Sequence, residues 1–431
     1  MNDAQNVTKA LLAPTSAERL AALEACVNQH KPTQTETVFE NINNHIHTIY
    51  SFSPYSPAAA VYCAREAGLS TAGIMDHDSV SGCREFIEAG RIARFPVTCG
   101  CELRVDFSRT PVAGRRINNP DQNDIVYMAL HAIPHGSFDR VDEFLRPIRA
   151  ARGVRNRKMT ARLAEIFAPY GISLDYDRDV LPRSQAAEGG SVTERHILWA
   201  LGQNLIEKLG RGAPLVSFLR DTLGLSLSAK ITGYLSDTDN IHYDYDFLGL
   251  LKAEFVPQFY IPATDECPDV RDVLALSEEV GAISAYAYLG DVGESVTGDK
   301  RAQKFEDDYL DALMDTVADL GFKAVAYMPT RNTPAQLERL RALIEKHNFM
   351  PICGEDINQP RQKFVCEAMR GGRFGELREA TWAMIAHERE ENGLFSAAAA
   401  KRWPDLAERV AAFAELGRTY TERERSEGAR S

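Results

Sequence analysis

Several features are missing from the 431-residue chain. No stretch approaches the ~20 consecutive apolar residues that cross a bilayer as a helix. Residues 1–12 lack the basic start and apolar run of a secretory signal. The eight cysteines stand at 26, 63, 83, 99, 101, 267, 353 and 366, and none form a C-x-x-C pair. That argues against a zinc ribbon or a thioredoxin-like site. Cys99 and Cys101 can ligate a soft metal, but their apolar, strand-like surroundings read as buried thiols. Dispersed cysteines in a long chain read as reduced, so the expected compartment is the cytoplasm. Positive charge is also short. Lys and Arg number 49 against 61 Asp and Glu, a net charge of −12. Duplex DNA and anionic membranes attract basic surfaces, so neither is an expected partner. A small phosphorylated substrate stays open, because a metal ion or an arginine reverses the field locally.

What is present is apolar patterning sufficient for a large core. Residues 1–36 read as an N-terminal helical extension, with Leu20, Leu23 and Val27 on one face. From residue 37, short apolar runs alternate with helical stretches. The candidate strands are Thr37–Ile46, Thr71–Met75, Val97–Phe107, Asp124–Ile133, Ala282–Tyr288, Lys323–Met328 and Met350–Gly354. Ser56-Pro57 marks a helix start and Gly68 its end. Thr333, Pro334 and Gln336 form a capping-box start, followed by the stripe Leu337, Leu340, Leu343, Ile344. Strands alternating with helices predict parallel βα units, and seven of them suggest a barrel rather than an open sheet. The alternation breaks once, over about 137–281, which reads as a mostly helical insertion. The barrel thus spans 37–365, and 366–431 read as a C-terminal helical tail.

The histidines and carboxylates carry the chemistry. His45-Ile46-His47 ends the first strand, where residues i and i+2 share a face and two imidazoles can bind one metal. Asp76-His77-Asp78 follows the second apolar run. Glu102 sits inside the third, where a carboxylate is costly unless paired or ligated. His131 lies in the fourth run, and Asp356 follows the last. Five of seven strands therefore carry such a group near their C-terminal end, the face on which barrel enzymes keep catalytic groups. Mixed imidazole and carboxylate donors suit Zn, Mn or Fe.

In this order (His45-Ile46-His47-Thr48, Asp76-His77-Asp78-Ser79, Gly100-Cys101-Glu102-Leu103, His131, Gly354-Glu355-Asp356-Ile357-Asn358) the sequence resembles the polymerase and histidinol phosphatase (PHP) superfamily. The resemblance runs from about Phe39 to about Asn358. The branch it looks like is the stand-alone phosphoesterases with a helical insertion. Arg157 to Gly171 resembles the helix opening that insertion, and Glu194-Arg195-His196-Ile197 the motif closing it. The resemblance implies a distorted seven-stranded (βα)7 barrel and two divalent metal ions (Mn, Fe or Zn). It implies hydrolysis of a nucleotide-like phosphate or phosphodiester by a hydroxide bridging the ions; a short oligonucleotide is a further substrate class of that branch. Carried over, His45, His47, Glu102, His131, His196 and Asp356 are the expected metal ligands. His77, Asp76 and Arg195 are the expected catalytic residues, and Tyr286, Tyr288 and Asn358 the expected substrate contacts.

The chain departs from the family pattern at four places. Phe52 and Asn358 stand where a third ion's ligands are usual, so a two-metal core is expected. Tyr288 replaces a histidine after the fifth strand, and Glu194 replaces the arginine of the closing motif. Two alternatives follow: a degenerate member that binds metal and a phosphorylated ligand without turnover, and a two-metal amidohydrolase-type enzyme. Arg152, Arg155, Arg157 and Lys158 are candidates for holding phosphate, but read first as a solvated helix face. Oligomeric state is not legible.

Overall fold

The computed structural model describes residues 9–29, 40–292, 304–370 and 372–427. The start of the first expected strand, residues 37–39, lies outside them, as do residues 1–8 and 30–36 of the expected extension. The elements run α1 (Ser16–Gln29), β1 (Ile42–Ile46), α2 (Pro57–Glu66), β2 (Thr71–His77), α3 (Cys83–Ala93), β3 (Val97–Asp106) and β4 (Ile125–His131). Next come α4 (Phe138–Phe167), α5 (Glu194–Leu209), α6 (Ala213–Ser217), α7 (Ala229–Ser236), α8 (Tyr243–Phe259) and α9 (Val270–Val280). The chain then forms β5 (Ile283–Ala287), α10 (Leu310–Leu320), β6 (Ala324–Tyr327), α11 (Pro334–Lys346), β7 (Met350–Cys353), α12 (Gly375–His387), α13 (Ala397–Arg402) and α14 (Leu406–Glu427). The helix punctuation acts as expected. The Ser56 hydroxyl accepts from Ala59 N, and Thr333 and Gln336 form a reciprocal capping box.

The seven strands make one sheet in chain order. Its ends nearly close. His47 N donates to Ile357 O at 2.9 Å, and Ile357 N donates to His45 O at 3.1 Å, just beyond β7. Flanking helices complete a distorted TIM-like α/β barrel. One expectation fails: the units are not all parallel. β4 runs antiparallel to both β3 and β5. Its C-terminal end points away from the face where β1, β2 and β3 end, so the strand-end argument does not apply to His131. Apolar spacing encodes which residues are buried, not the direction in which the strand is crossed.

The two faces of the sheet differ. Outward residues such as Ile74, Cys101, Leu130 and Val325 share the main core with the flanking helices. Inward residues at the strand starts are small or slender: Ala285, Ala324, Ala326 and Ile283 pack with Ala380, Ala383 and Met384 of α12. α12 closes that end of the barrel. Asn44 Nδ2 donates to Thr381 Oγ1 at 2.8 Å, and Glu388, just past the helix, accepts from Cys99 N at 2.6 Å.

The insertion has its own core. α4 runs for 30 residues and serves both bodies. Phe138, Val141, Leu145 and Ile148 join the barrel core, whereas Met159, Leu163 and Phe167 join the insertion core. Two arginines on α4 depart from the solvated reading. Arg152 and Arg155 are buried, on Asp78 and Glu266 respectively. Their acidic partners lie far off in sequence, which helical periodicity cannot show. Arg157 and Lys158 are exposed as expected.

Candidate metal centre

β1 delivers two histidines to one mouth of the barrel. Its pairing with β2 shifts register between Asn43 and Ile46. The rings of His45 and His47 meet edge to face at 5.1 Å. Glu102 comes from β3, where its register partner on β2 is His77. His45, His47 and Glu102 each bring one ligand atom within 4.8 Å of the other two. His77 Nδ1 stands 3.1 Å from Glu102 Oε2, and His45 Nε2 stands 3.8 Å from it. Asp356 follows β7 and brings Oδ1 to 3.2 Å from His47 Nε2. A glycine permits that approach: a Cβ on Gly354 would lie 2.5 Å from His45 Cβ.

Hydrogen bonds fix which nitrogens are bare. The Ser51 hydroxyl donates to Asp76 Oδ1 at 2.6 Å and lies 3.2 Å from His47 Nδ1. Its single proton goes to the carboxylate, so Nδ1–H must donate to Ser51 and Nε2 is the nitrogen left to face Asp356. Burial lowers the His47 pKa, but the hydrogen bond to Asp356 and its charge raise it on balance. A bare nitrogen facing a carboxylate at 3.2 Å calls for a proton or a cation between them. His77 has the matching arrangement. Nδ1–H points to the acceptor-only carboxylate of Glu102, leaving Nε2 towards the pocket.

His131 arrives from below. Ala129 pairs with Glu102, so His131, two residues on, sits deeper in the barrel beside Ile283. Its Nε2 is buried and has no hydrogen-bond partner among the described residues. Burial pulls its pKa down to about 3, so the ring is neutral. An orphaned neutral imidazole nitrogen next to a His-His-Glu cluster is an expected metal donor. The donor set therefore fits a divalent metal ion.

His196 is placed differently. It is the third residue of α5, and its Nδ1 accepts from Thr193 N at 3.0 Å in a capping arrangement. Burial holds its pKa down at about 3, so the neutral ring carries its proton on Nε2. In this arrangement that nitrogen donates. Ligation by it requires the capping bond to be released.

Electrostatics follow burial and pairing. Burial raises the Glu102 carboxyl, against the opposing pull of His45 and His47. Burial would raise Asp356 too, but the His47 hydrogen bond and charge hold it well below the usual carboxylate range. Burial raises Asp76, which Ser51 and Thr48 partly offset. Asp76 lies beneath the site. It accepts from Thr48 N at 2.7 Å and Thr48 Oγ1 at 2.6 Å, as well as from Ser51, so it pins the turn that carries His47.

A small pocket opens above the cluster. His47, His77, Arg152, Arg195 and Asn358 line it, together with Ser51, Phe52, Tyr127, Thr193 and Glu194. Arg195 Nη1 donates to Asn358 O at 3.4 Å, and Asn358 Nδ2 donates to Asp356 Oδ1 at 2.6 Å. Tyr286 and Tyr288, expected as substrate contacts, do not line this pocket. Tyr286 OH donates to Glu306 Oε1 at 3.0 Å and Tyr288 OH to Asp307 Oδ1 at 2.6 Å. Both rings belong to the outer core of the barrel, because residues 286 and 288 share the face opposite Ala285 and Ala287.

Sequence reasoning missed Tyr127, Ser51 and Thr193. Tyr127 had a signal, since strand alternation puts 127, 129 and 131 on one face. Ser51 and Thr193 had none. Phe52 keeps φ at +82° and is buried. Its ring meets His196 edge to face at 4.9 Å and packs near Trp199. The residue that departs from the family pattern thus joins the insertion core to the mouth.

No family model matches the chain, and no curated protein matches it. Two solved structures are similar to it. One is a candidate metal-dependent phosphoesterase from Bifidobacterium adolescentis, 21% identical, with a TM-score of 0.49. That match covers 77% of this chain and 94% of the other. The second is an amidohydrolase from Chromobacterium violaceum, solved with bound sulfate and no metal. It is 15% identical, with a TM-score of 0.49, and the match covers 75% of this chain and 90% of that one.

Proposed function

We propose that the chain is a PHP-like, metal-dependent phosphoesterase that hydrolyses a small phosphorylated substrate. The observation that carries this reading is the convergence of His45, His47 and Glu102 within 4.8 Å, with the orphaned Nε2 of His131 beneath. These four and Asp356 would hold two divalent ions, and His196 would join them on release of its cap. Ions bound there supply Lewis acidity and lower the pKa of water towards neutrality.

The chain's own residues do the rest. Asp76, acting through Ser51, keeps His47 Nε2 aimed at the site. Arg195 binds a non-bridging phosphoryl oxygen and places the phosphorus over the cluster. His77 accepts and returns a proton at Nε2, with Glu102 orienting it through Nδ1. Phe52 and Thr193 wall the pocket against bulk water. The net charge of −12 agrees with a small anionic substrate drawn in by a local positive site, and a cytoplasmic setting agrees with eight free cysteines.

The test is a panel of nitrophenyl phosphates, phosphodiesters, nucleotides and amide substrates with Mn-, Fe- and Zn-loaded protein. Phosphoester turnover supports the proposal. Amide turnover alone gives the amidohydrolase alternative. Ligand-induced thermal stabilisation without turnover gives binding alone.

A further inference from the structure

We propose that Gln362 is a positioning residue that holds the metal ligand Asp356 in place, and that Asp246 of the insertion anchors it through Arg361. The reading rests on the metal centre proposed above. Ile357 lies just beyond β7 and bridges to β1: its N donates to His45 O, and its O accepts from His47 N. Strand alternation turns the backbone groups of residues 356 and 358 the opposite way. On that side β6 has already ended, its last pair being Tyr327 with Cys353. Asp356 O and Asn358 N therefore lie past the ladder that satisfies the rest of β7.

The side-chain amide of Gln362 takes the place of the missing strand. Its Nε2 donates to Asp356 O at 2.7 Å, and its Oε1 accepts from Asn358 N at 2.7 Å. A residue of a parallel neighbour would make the same two bonds with its own N–H and C=O. Oε1 also accepts from Gln359 N at 2.9 Å. One amide thus fixes the backbone on both sides of Ile357. In an extended segment residues 356 and 358 share a face, and Asn358 Nδ2 donates to Asp356 Oδ1 at 2.6 Å. The aim of the Asp356 carboxylate at His47 then depends on an amide whose hydrogen bonds among the described residues all go to backbone.

The insertion secures this amide through the residue beside it. Arg361 Nε and Nη2 donate to Asp246 Oδ1 and Oδ2 at 2.7 and 2.8 Å. The guanidinium also lies 4.2 Å from the centre of the Tyr234 ring. Asp246 sits on α8 with its side chain 8% exposed, and Asn240 Nδ2 donates to its Oδ2 at 2.8 Å. A bidentate arginine–carboxylate pair fixes orientation as well as contact. By this route the insertion tunes metal affinity from a helix that bears none of the expected ligands.

The experiment titrates metal-free, full-length protein with Mn against a fluorescent chelator, and measures urea denaturation of the same metal-free samples. Gln362→Met keeps the length of the side chain and removes its bonds. It should weaken Mn binding by about 10- to 100-fold, the usual loss for an outer-shell partner of a ligand. Its metal-free urea midpoint should stay close to that of wild type, which separates positioning from a merely structural role. Asp246→Ala removes the Arg361 pair far from the donor atoms. It should weaken Mn binding in the wild-type background but not in Gln362→Met, because both act through one amide. Wild-type Mn affinity in folded Gln362→Met overturns the role of Gln362. Wild-type affinity in Asp246→Ala, or the same loss in both backgrounds, overturns the anchoring by the insertion. No Mn binding by wild type overturns the metal centre, and this proposal with it. Both readouts are independent of the ester cleaved, so failure of the phosphoesterase reading is told apart from failure of this one.

Discussion

Ser51 stands between Asp76 and His47, 2.6 Å from the carboxylate oxygen and 3.2 Å from the ring nitrogen. One hydroxyl proton cannot serve both, so the pair sets the tautomer of His47 and leaves Nε2 free for the site. Ser51→Ala removes this without touching a donor atom. The expected outcome is a loss of metal affinity of about 10- to 100-fold, typical for an outer-shell partner of a ligating histidine. Competition titration with a fluorescent chelator measures it. Unchanged affinity would remove Ser51 from the site's support.

Phe52 is a bulky residue at positive φ, a conformation that stores roughly 1–3 kcal/mol of strain. Its ring is buried against His196, so truncation should cost about 3–5 kcal/mol. Glycine should be the milder truncation, because it tolerates the backbone angle. Urea denaturation should therefore find Phe52→Gly more stable than Phe52→Ala by about 1 kcal/mol. The reverse order would mean that ring packing, not the backbone, fixes this turn.

How much of this was legible varies with the kind of information. All seven strands and the helix caps at Ser56, Gly68 and Thr333 were legible, because buried strands need apolar runs and helices need capping residues. Glu102 was legible because a carboxylate within an apolar run has to be satisfied, and His45 and His47 because residues i and i+2 of a strand share a face. The antiparallel course of β4 was hidden, since its apolar run reads the same in either direction. The burial of α12 was hidden too. Ala380, Ala383 and Ala386 look unremarkable in a helix, yet only small side chains fit where that helix closes the barrel. The outward turn of Tyr286 and Tyr288 follows from period-two alternation, but only once the neighbouring alanines are known to face inward.

Glu306 is wholly buried. Its Oε1 accepts from Tyr286 OH, Leu289 N and Gly290 N, whereas its Oε2 has no hydrogen-bond partner among the described residues. Burial raises its pKa from 4.5 to about 7, against those hydrogen bonds. The sign follows from proton binding: the folded state holds this proton more tightly than the unfolded state. The stability it contributes is full below pH 4.5 and is lost as pH rises through about 7. Glu306→Gln keeps the acceptor and removes the titration. The variant should lose less stability than wild type over that interval, by a margin on the order of 3 kcal/mol. Chemical denaturation at pH 4.5, 6 and 8 reads the difference. Parallel pH profiles for the two proteins would contradict it.

Everything proposed for the site depends on a metal centre organised on Glu102. The most direct measurement is elemental analysis of metal-replete full-length protein, as wild type and as Glu102→Gln. The prediction is about two ions per wild-type chain and loss of both in the variant, as for a carboxylate that bridges a two-metal site. Less than one ion in wild type, or wild-type metal content in a folded Glu102→Gln protein, would contradict it.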